Sequence, residues 1–168
     1  MDMERLIKLT INGDEYKFHV EPWRTLLEVI REKAGLTGAK EACGTGECGN
    51  CLVILDGRPV KSCIYLAVDA DGKDITTIEG IADGEELHPI QKAFIDHGAI
   101  QCGFCTPGMI LTAKSLLDHN PKPTKAEVQA ALEGVLCRCT GYVQIVEAIL
   151  AAGEAMARVN EPVGKAGK

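Results

Sequence analysis

Near the start of the chain, apolar and polar positions alternate: Ile7, Leu9 and Ile11, then Tyr16, Phe18 and Val20 after Asn12-Gly13. A period of two marks strands with one buried face. Asn-Gly between two such runs predicts a tight hairpin, because both turn residues adopt positive φ. A two-residue loop sets Leu9 opposite Tyr16 and Ile7 opposite Phe18, which keeps one face apolar. The period then lengthens. Leu26, Leu27, Ile30 and Ala34 predict a helix that Thr25 caps, Glu28 supports in its first turn and Gly35 ends. After a loop rich in glycine and cysteine, runs at 52–55 and 59–63 flank Asp56-Gly57, a second hairpin signal. A further strand is expected over 75–78, giving a compact sheet with one helix packed across it.

Residues 79–89 (EGIADGEELHP) are polar and carry two glycines, which makes them the expected linker. Beyond them the spacing is helical. Ile90, Ala93, Phe94 and His97 share one face. Thr106-Pro107 reads as an N-cap followed by proline at the first helical position, leading into Ile110, Ala113 and Leu117. Thr124 and Glu127 have the capping-box form ahead of Val128, Ala131, Leu132, Val135 and Leu136. A last helix is expected over 141–157, using Tyr142, Ile145, Val146 and Ile149. The halves do not resemble each other. The organisation expected is therefore α+β, with one domain over 1–80, a four-helix domain over 81–160 and a frayed tail over 161–168.

Charge narrows the function classes. Against 18 Lys+Arg stand 24 Asp+Glu, a net charge of -6 without any basic run, which argues against nucleic acid. No stretch of eighteen apolar residues occurs, so no membrane span is expected. The N-terminus enters the first strand without an apolar signal region, which gives a cytoplasmic expectation. Aromatics are 4% of residues, and two domains of about eighty residues bury little apolar surface; such domains often lean on a metal or a partner. Eight cysteines supply the metal reading, since clustered thiols in a reducing compartment are more often ligands than disulfides.

The cysteines fall into two sets. Cys43, Cys48 and Cys51 in CGTGECGNC, closed by Cys63 in KSC, have the C-x4-C-x2-C plus distant cysteine spacing of a plant-type 2Fe–2S cluster. A short loop has to wrap three thiolates around a small cluster, and Gly44, Gly46 and Gly49 relax the backbone limits on that wrap. Zinc sites more usually show two C-x2-C pairs. The second set is Cys102 and Cys105 in QCGFCTPG with Cys137 and Cys139 in LCRCTGY. Each pair lies at helix ends, where exposed N–H groups favour thiolate. C-x-C is too tight for the usual zinc knuckle, yet spacing alone leaves zinc open here.

Taken together, CGTGECGNC, QCGFCTPGMI and LCRCTGY resemble the small iron–sulfur subunit of the molybdenum hydroxylase (xanthine oxidase) family. The resemblance covers about residues 5 to 155 and all eight cysteines. The family usually has Gly before the first cysteine and Ala before the third, where this chain has Ala42 and Asn50; neither position is a ligand. The resemblance implies a ferredoxin-like β-grasp domain followed by an all-helical four-helix 2Fe–2S domain. It also implies a large partner subunit with a molybdenum–pterin cofactor, often a medium subunit with FAD, and commonly a dimer of heterotrimers. By carry-over, the helical-domain cluster lies nearest the molybdenum cofactor, with Gln101 and Cys139 approaching the pterin. Single electrons would pass from there through the ferredoxin-like cluster to FAD or another acceptor, and the substrate site would lie outside this chain.

Arg138, between two of the cysteines, is a candidate for offsetting cluster charge. His19, His88, His97 and His119 are scattered and show no ligand pairing, so a Rieske site is not expected. Trp23 and Tyr142 read as core or interface, and no paired carboxylates or nucleophile stand out. The competing readings are a free-standing ferredoxin, which leaves the helical half unexplained, and a structural zinc protein.

Overall fold

The computed structural model describes residues 3–160. Five strands form one sheet: β1 (Arg5–Ile11), β2 (Asp14–Val20), β3 (Leu52–Leu55), β4 (Arg58–Lys61) and β5 (Asp74–Thr76). Their order is β2-β1-β5-β3-β4, with β1 and β5 parallel and the other pairs antiparallel. The first hairpin has the predicted register, Leu9 opposite Tyr16 and Ile7 opposite Phe18. Its turn residues adopt φ of 54° at Asn12 and 90° at Gly13. Asn12 also reaches across the sheet, accepting from the Thr77 N–H at 2.8 Å and donating to the Thr77 hydroxyl at 2.9 Å. Ile7, Leu9 and Ile11 are buried, each worth about 1.5–3 kcal/mol of transfer from water.

Across the sheet lies α1 (Leu26–Glu28), which widens into a π-helical stretch over Val29–Lys33. Thr25 caps it with the reciprocal box to Glu28, and Leu26, Leu27, Val29 and Ile30 are buried. The second half holds α2 (Pro89–Asp96), α3 (Thr106–His119), α4 (Lys125–Leu132) and α5 (Val143–Asn160).

Several boundaries differ from the sequence pattern, each for a local reason. β4 stops at Lys61, so Cys63 sits in a 3₁₀ turn, Ser62–Ile64, rather than in the strand. Ile78 likewise belongs to a 3₁₀ turn beyond β5. Thr106 is the first residue of α3 and Cys105 is its cap, without a side-chain capping bond. α4 ends at Leu132, which leaves Val135 buried and Leu136 exposed beyond it. Tyr142 adopts φ of 69°, incompatible with an α-helix, and so α5 begins at Val143, two residues beyond the expected start. The tail expected over 161–168 lies outside the described residues.

Two apolar cores result. Val53 and Leu55 join the sheet core with Ile7, Leu9 and Ile75. Leu52 and Ile54 join the helical core with Phe94, Met109 and Ile149. Because successive strand side chains point to opposite faces, β3 is buried on both sides and belongs to both halves. A second junction lies at the cysteine-rich loop, where the Leu136 N–H donates to the Cys48 carbonyl at 2.9 Å. That approach depends on glycine. A Cβ on Gly49 would overlap the Gly134 carbonyl oxygen, and one on Gly108 would come within 2.7 Å of the Gly49 oxygen.

Gly49→Ala therefore combines a left-handed backbone, φ 70°, with a clash against backbone that cannot rotate away. We expect a loss of about 2 kcal/mol or more, read as a lowered melting temperature. Gly57→Ala, at positive φ but in open space, should cost less.

Candidate metal centres

The loop ahead of β3 brings Cys43, Cys48 and Cys51 together, and the turn after β4 adds Cys63. Cys43 is exposed and the other three are buried. Loop amides converge on the outer sulfur: Thr45 N–H at 3.4 Å and Cys48 N–H at 3.5 Å from Cys43 Sγ. The Thr45 hydroxyl, with these N–H groups, holds the Cys43 thiol down at about 5. Burial, together with the neighbouring Cys51, pushes Cys63 up to about 11. The sulfurs thus group in pairs, Cys43 with Cys48 and Cys51 with Cys63.

In the helical half, Cys102 and Cys105 lie just before α3, while Cys137 and Cys139 lie in the loop between α4 and α5. Again the sulfurs pair. Cys102 Sγ and Cys139 Sγ are 3.6 Å apart, and Cys105 lies within hydrogen-bonding reach of Cys137. Burial, with Cys137 beside it, pushes the Cys105 thiol up to about 12. Burial also acts upward on Cys137. It is outweighed by the Thr140 hydroxyl and by the N–H groups of Thr140 and Cys139, and the thiol rests at about 7. Those N–H groups approach to 3.4 and 3.5 Å. They are loop amides, so the donors at this pair are not the free end of a helix as the sequence suggested. Tyr142 props the loop, its hydroxyl accepting from Cys137 N–H at 2.8 Å and donating to the Val135 carbonyl at 3.2 Å.

Among the described residues, no three Cys, His, Asp or Glu side chains converge as ligands of a single metal ion. Each iron of a 2Fe–2S cluster takes two protein thiolates. Two thiol pairs at each location, with N–H groups aimed at sulfur, are the donor set that such a cluster requires. The residues fit the group.

Comparison with known proteins agrees. A model for the 2Fe-2S iron-sulfur cluster binding domain matches residues 9–77, and one for the 2Fe-2S binding domain matches residues 77–150. The fold and its matched regions therefore define an iron–sulfur protein of two 2Fe–2S-binding parts. The chain is 50% identical over 143 residues to the nicotinate dehydrogenase small FeS subunit of Eubacterium barkeri, covering 85% of this chain and 91% of that one. It is 46% identical over 145 residues to the aldehyde oxidoreductase of Megalodesulfovibrio gigas, covering 84% of this chain but 16% of that much longer one. The crystal structure of quinoline 2-oxidoreductase from Pseudomonas putida 86 superposes with a TM-score of 0.89 at 47% identity, over 93% of this chain and 98% of that chain. The chain belongs to the family of small iron–sulfur subunits of molybdenum hydroxylases.

Other residues singled out in the sequence are placed as follows. Gln101 and Cys139 are exposed, on a surface that also bares Ile100, Phe104 and Leu136. Arg138 is exposed on the rim of a cavity of about 300 Å³ beside Cys102, Cys105 and Cys137. His88 caps α2, its Nδ1 accepting from Ile90 N–H at 3.3 Å. Trp23 is exposed at 63%, so it is not part of the core. No helix among the described residues is long and apolar enough to cross a membrane. Sequence reasoning missed Thr140, although a hydroxyl residue just after C-x-C was a readable signal, and it missed that Asn50 is buried.

Two measurements follow from these environments. In the cluster-free chain at about pH 6.5, thiolate reactivity should order the cysteines. Cys43 is largely ionised above about 5, whereas Cys63 and Cys105 keep their protons below about 11 and about 12. Peptide mapping after brief alkylation should find Cys43 labelled first and Cys105 last; equal labelling would contradict the assigned environments. Tyr142→Phe should destabilise the protein by about 1–3 kcal/mol in thermal unfolding, since Cys137 N–H and the Val135 carbonyl both lose a partner.

Proposed function

We propose that this chain relays single electrons through two 2Fe–2S clusters, one held by Cys43, Cys48, Cys51 and Cys63 and the other by Cys102, Cys105, Cys137 and Cys139. When bound, the clusters supply one-electron carriage between a molybdenum–pterin site and FAD or another acceptor. The observation that carries this reading is the bond from Leu136 N–H to the Cys48 carbonyl at 2.9 Å, which links a residue of the first quartet to the neighbour of Cys137 in the second. A free-standing ferredoxin would need neither this junction nor the helical half.

Residues 1–80 form the ferredoxin-like β-grasp domain and 81–160 the helical domain. The chain's own residues do the tuning. Thr45, Thr140 and the loop amides donate to sulfur, burial of Cys48, Cys51, Cys63 and Cys105 excludes water, and Arg138 offsets cluster charge. The large molybdenum subunit docks over Gln101 and Cys139, where Ile100, Phe104 and Leu136 offer apolar contact. A medium FAD subunit meets the face beside Cys43. There Ile64 is exposed against Gly46 of the Cys43 loop, and Trp23 and Leu66 are exposed on segments tied to each other by the Leu26 N–H to Tyr65 carbonyl and Ala67 N–H to Arg24 carbonyl bonds. The complex is a cytoplasmic dimer of heterotrimers, and its substrate site lies in the large subunit.

Low-temperature EPR of the dithionite-reduced protein, with iron and sulfide quantified on the same sample, tests the reading. We expect two distinct signals with about four iron and four sulfide per chain. Cys102→Ser should abolish or alter one signal and spare the other, while Cys51→Ser does the reverse. A single signal in the native protein, or zinc in place of iron, would sink the proposal.

A further inference from the structure

The cysteine loop of the sheet half carries one polar side chain into the helical half. Asn50 lies between Gly49 and Cys51 in sequence, yet it lines the cavity of about 300 Å³ that Cys102, Cys105 and Cys137 border, with Arg138 on the rim. Its residue exposure is 7%, and Oδ1 is sealed from solvent without any hydrogen-bond partner. Its backbone is fixed from both sides. The Asn50 carbonyl accepts from Lys40 N–H at 3.0 Å, and a Cβ on Gly108 would lie 3.4 Å from Asn50 Cα. The side chain therefore has little freedom to withdraw toward water.

An unsatisfied buried amide end costs about 1–3 kcal/mol, and such groups in native proteins nearly always have a partner. The chemistry on the Cys102, Cys105 and Cys137 side of the cavity is sulfur, which in thiolate or sulfide form only accepts. Oxygen and nitrogen of an asparagine amide are nearly isosteric, so a half-turn about χ2 exchanges them without changing shape. Turned that way, the sealed end of Asn50 is an N–H donor at the wall of a cavity that Cys102, Cys105 and Cys137 also line.

We propose that Asn50, carried on the loop of the first quartet, donates its side-chain amide to sulfur of the second cluster and thereby sets that cluster's reduction potential. This rests on the reading that Cys102, Cys105, Cys137 and Cys139 hold a cluster. Reduction adds negative charge, and a donor aimed at sulfur stabilises the reduced form more than the oxidised one. Asn50 is thus a positioning and tuning group, distinct from the ligands. It also makes the second cluster's potential depend on how the first cluster's loop is folded.

The test is a redox titration of the intact complex followed by EPR, with each cluster read from its own signal, for the native protein, Asn50→Leu and Asn50→Asp. Asn50→Leu keeps the branched shape and removes the donor. At a fixed applied potential the reduced-to-oxidised ratio of the helical-domain cluster should fall about tenfold, equivalent to about 59 mV for one electron. The ratio for the Cys43 cluster should stay within about twofold, well inside that same constant. Asn50→Asp places a carboxylate beside the cluster and should lower the ratio further. With asparagine labelled by nitrogen-15, pulsed EPR of the reduced native second cluster should show an amide nitrogen coupling that Asn50→Leu loses. Unchanged potentials, or equal shifts in both clusters, would overturn the proposal. Absence of a second signal in the native protein would overturn both this proposal and the assignment of that cluster.

Discussion

The contact on which the rest of the molecule depends is backbone against backbone, where the cysteine loop meets the start of α3 and the turn after α4. Leu136 N–H reaches the Cys48 carbonyl because Gly49 and Gly108 put no side chain between the two segments. Everything electronic follows from this steric fact. Electron exchange between two carriers falls off steeply with separation, so this close backbone approach favours exchange between clusters held at the two proposed sites. The same closeness puts Asn50, a residue of one loop, into the pocket of the other quartet.

Protons and metal compete for the same sulfurs. Cys63 and Cys105, held up at about 11 and about 12 by burial, are poor thiolates until a positive centre arrives. Cys43 and Cys137, held down by donors at about 5 and about 7, are ready earlier. Each proposed ligand set thus contains a thiol held down by donors and a buried one held up, so binding of a cluster there would release protons.

Much of this was legible in the sequence, because local rules and chemistry coincided. The Asn12-Gly13 turn fixed a register that the sheet reproduces, and the Thr124/Glu127 box marked the start of α4 correctly. The cysteine spacing grouped the same thiols that the fold brings near one another, because residues that serve one site must be spaced to reach it. What escaped were features created by tertiary approach. Tyr142 begins the last helix late because its hydroxyl is needed at Cys137, a demand that helical periodicity does not encode. Asn50 read as a harmless departure because burial at that position comes from a distant segment, through Gly108 and Val135. β3 read as part of the sheet alone, since alternation is lost when both faces are covered and four consecutive apolar residues look the same from either side.

That doubly buried strand has an evolutionary corollary. Leu52 and Ile54 answer to the helices while Val53 and Leu55 answer to the sheet, within four consecutive residues. A genetic exchange that joined the sheet half of one relative to the helical half of another would cut no covalent site. It would still mismatch this shared seam. The two cluster-binding halves are therefore expected to diverge in concert, with compensating changes on opposite faces of β3, and to travel through gene fusion and fission as one heritable unit.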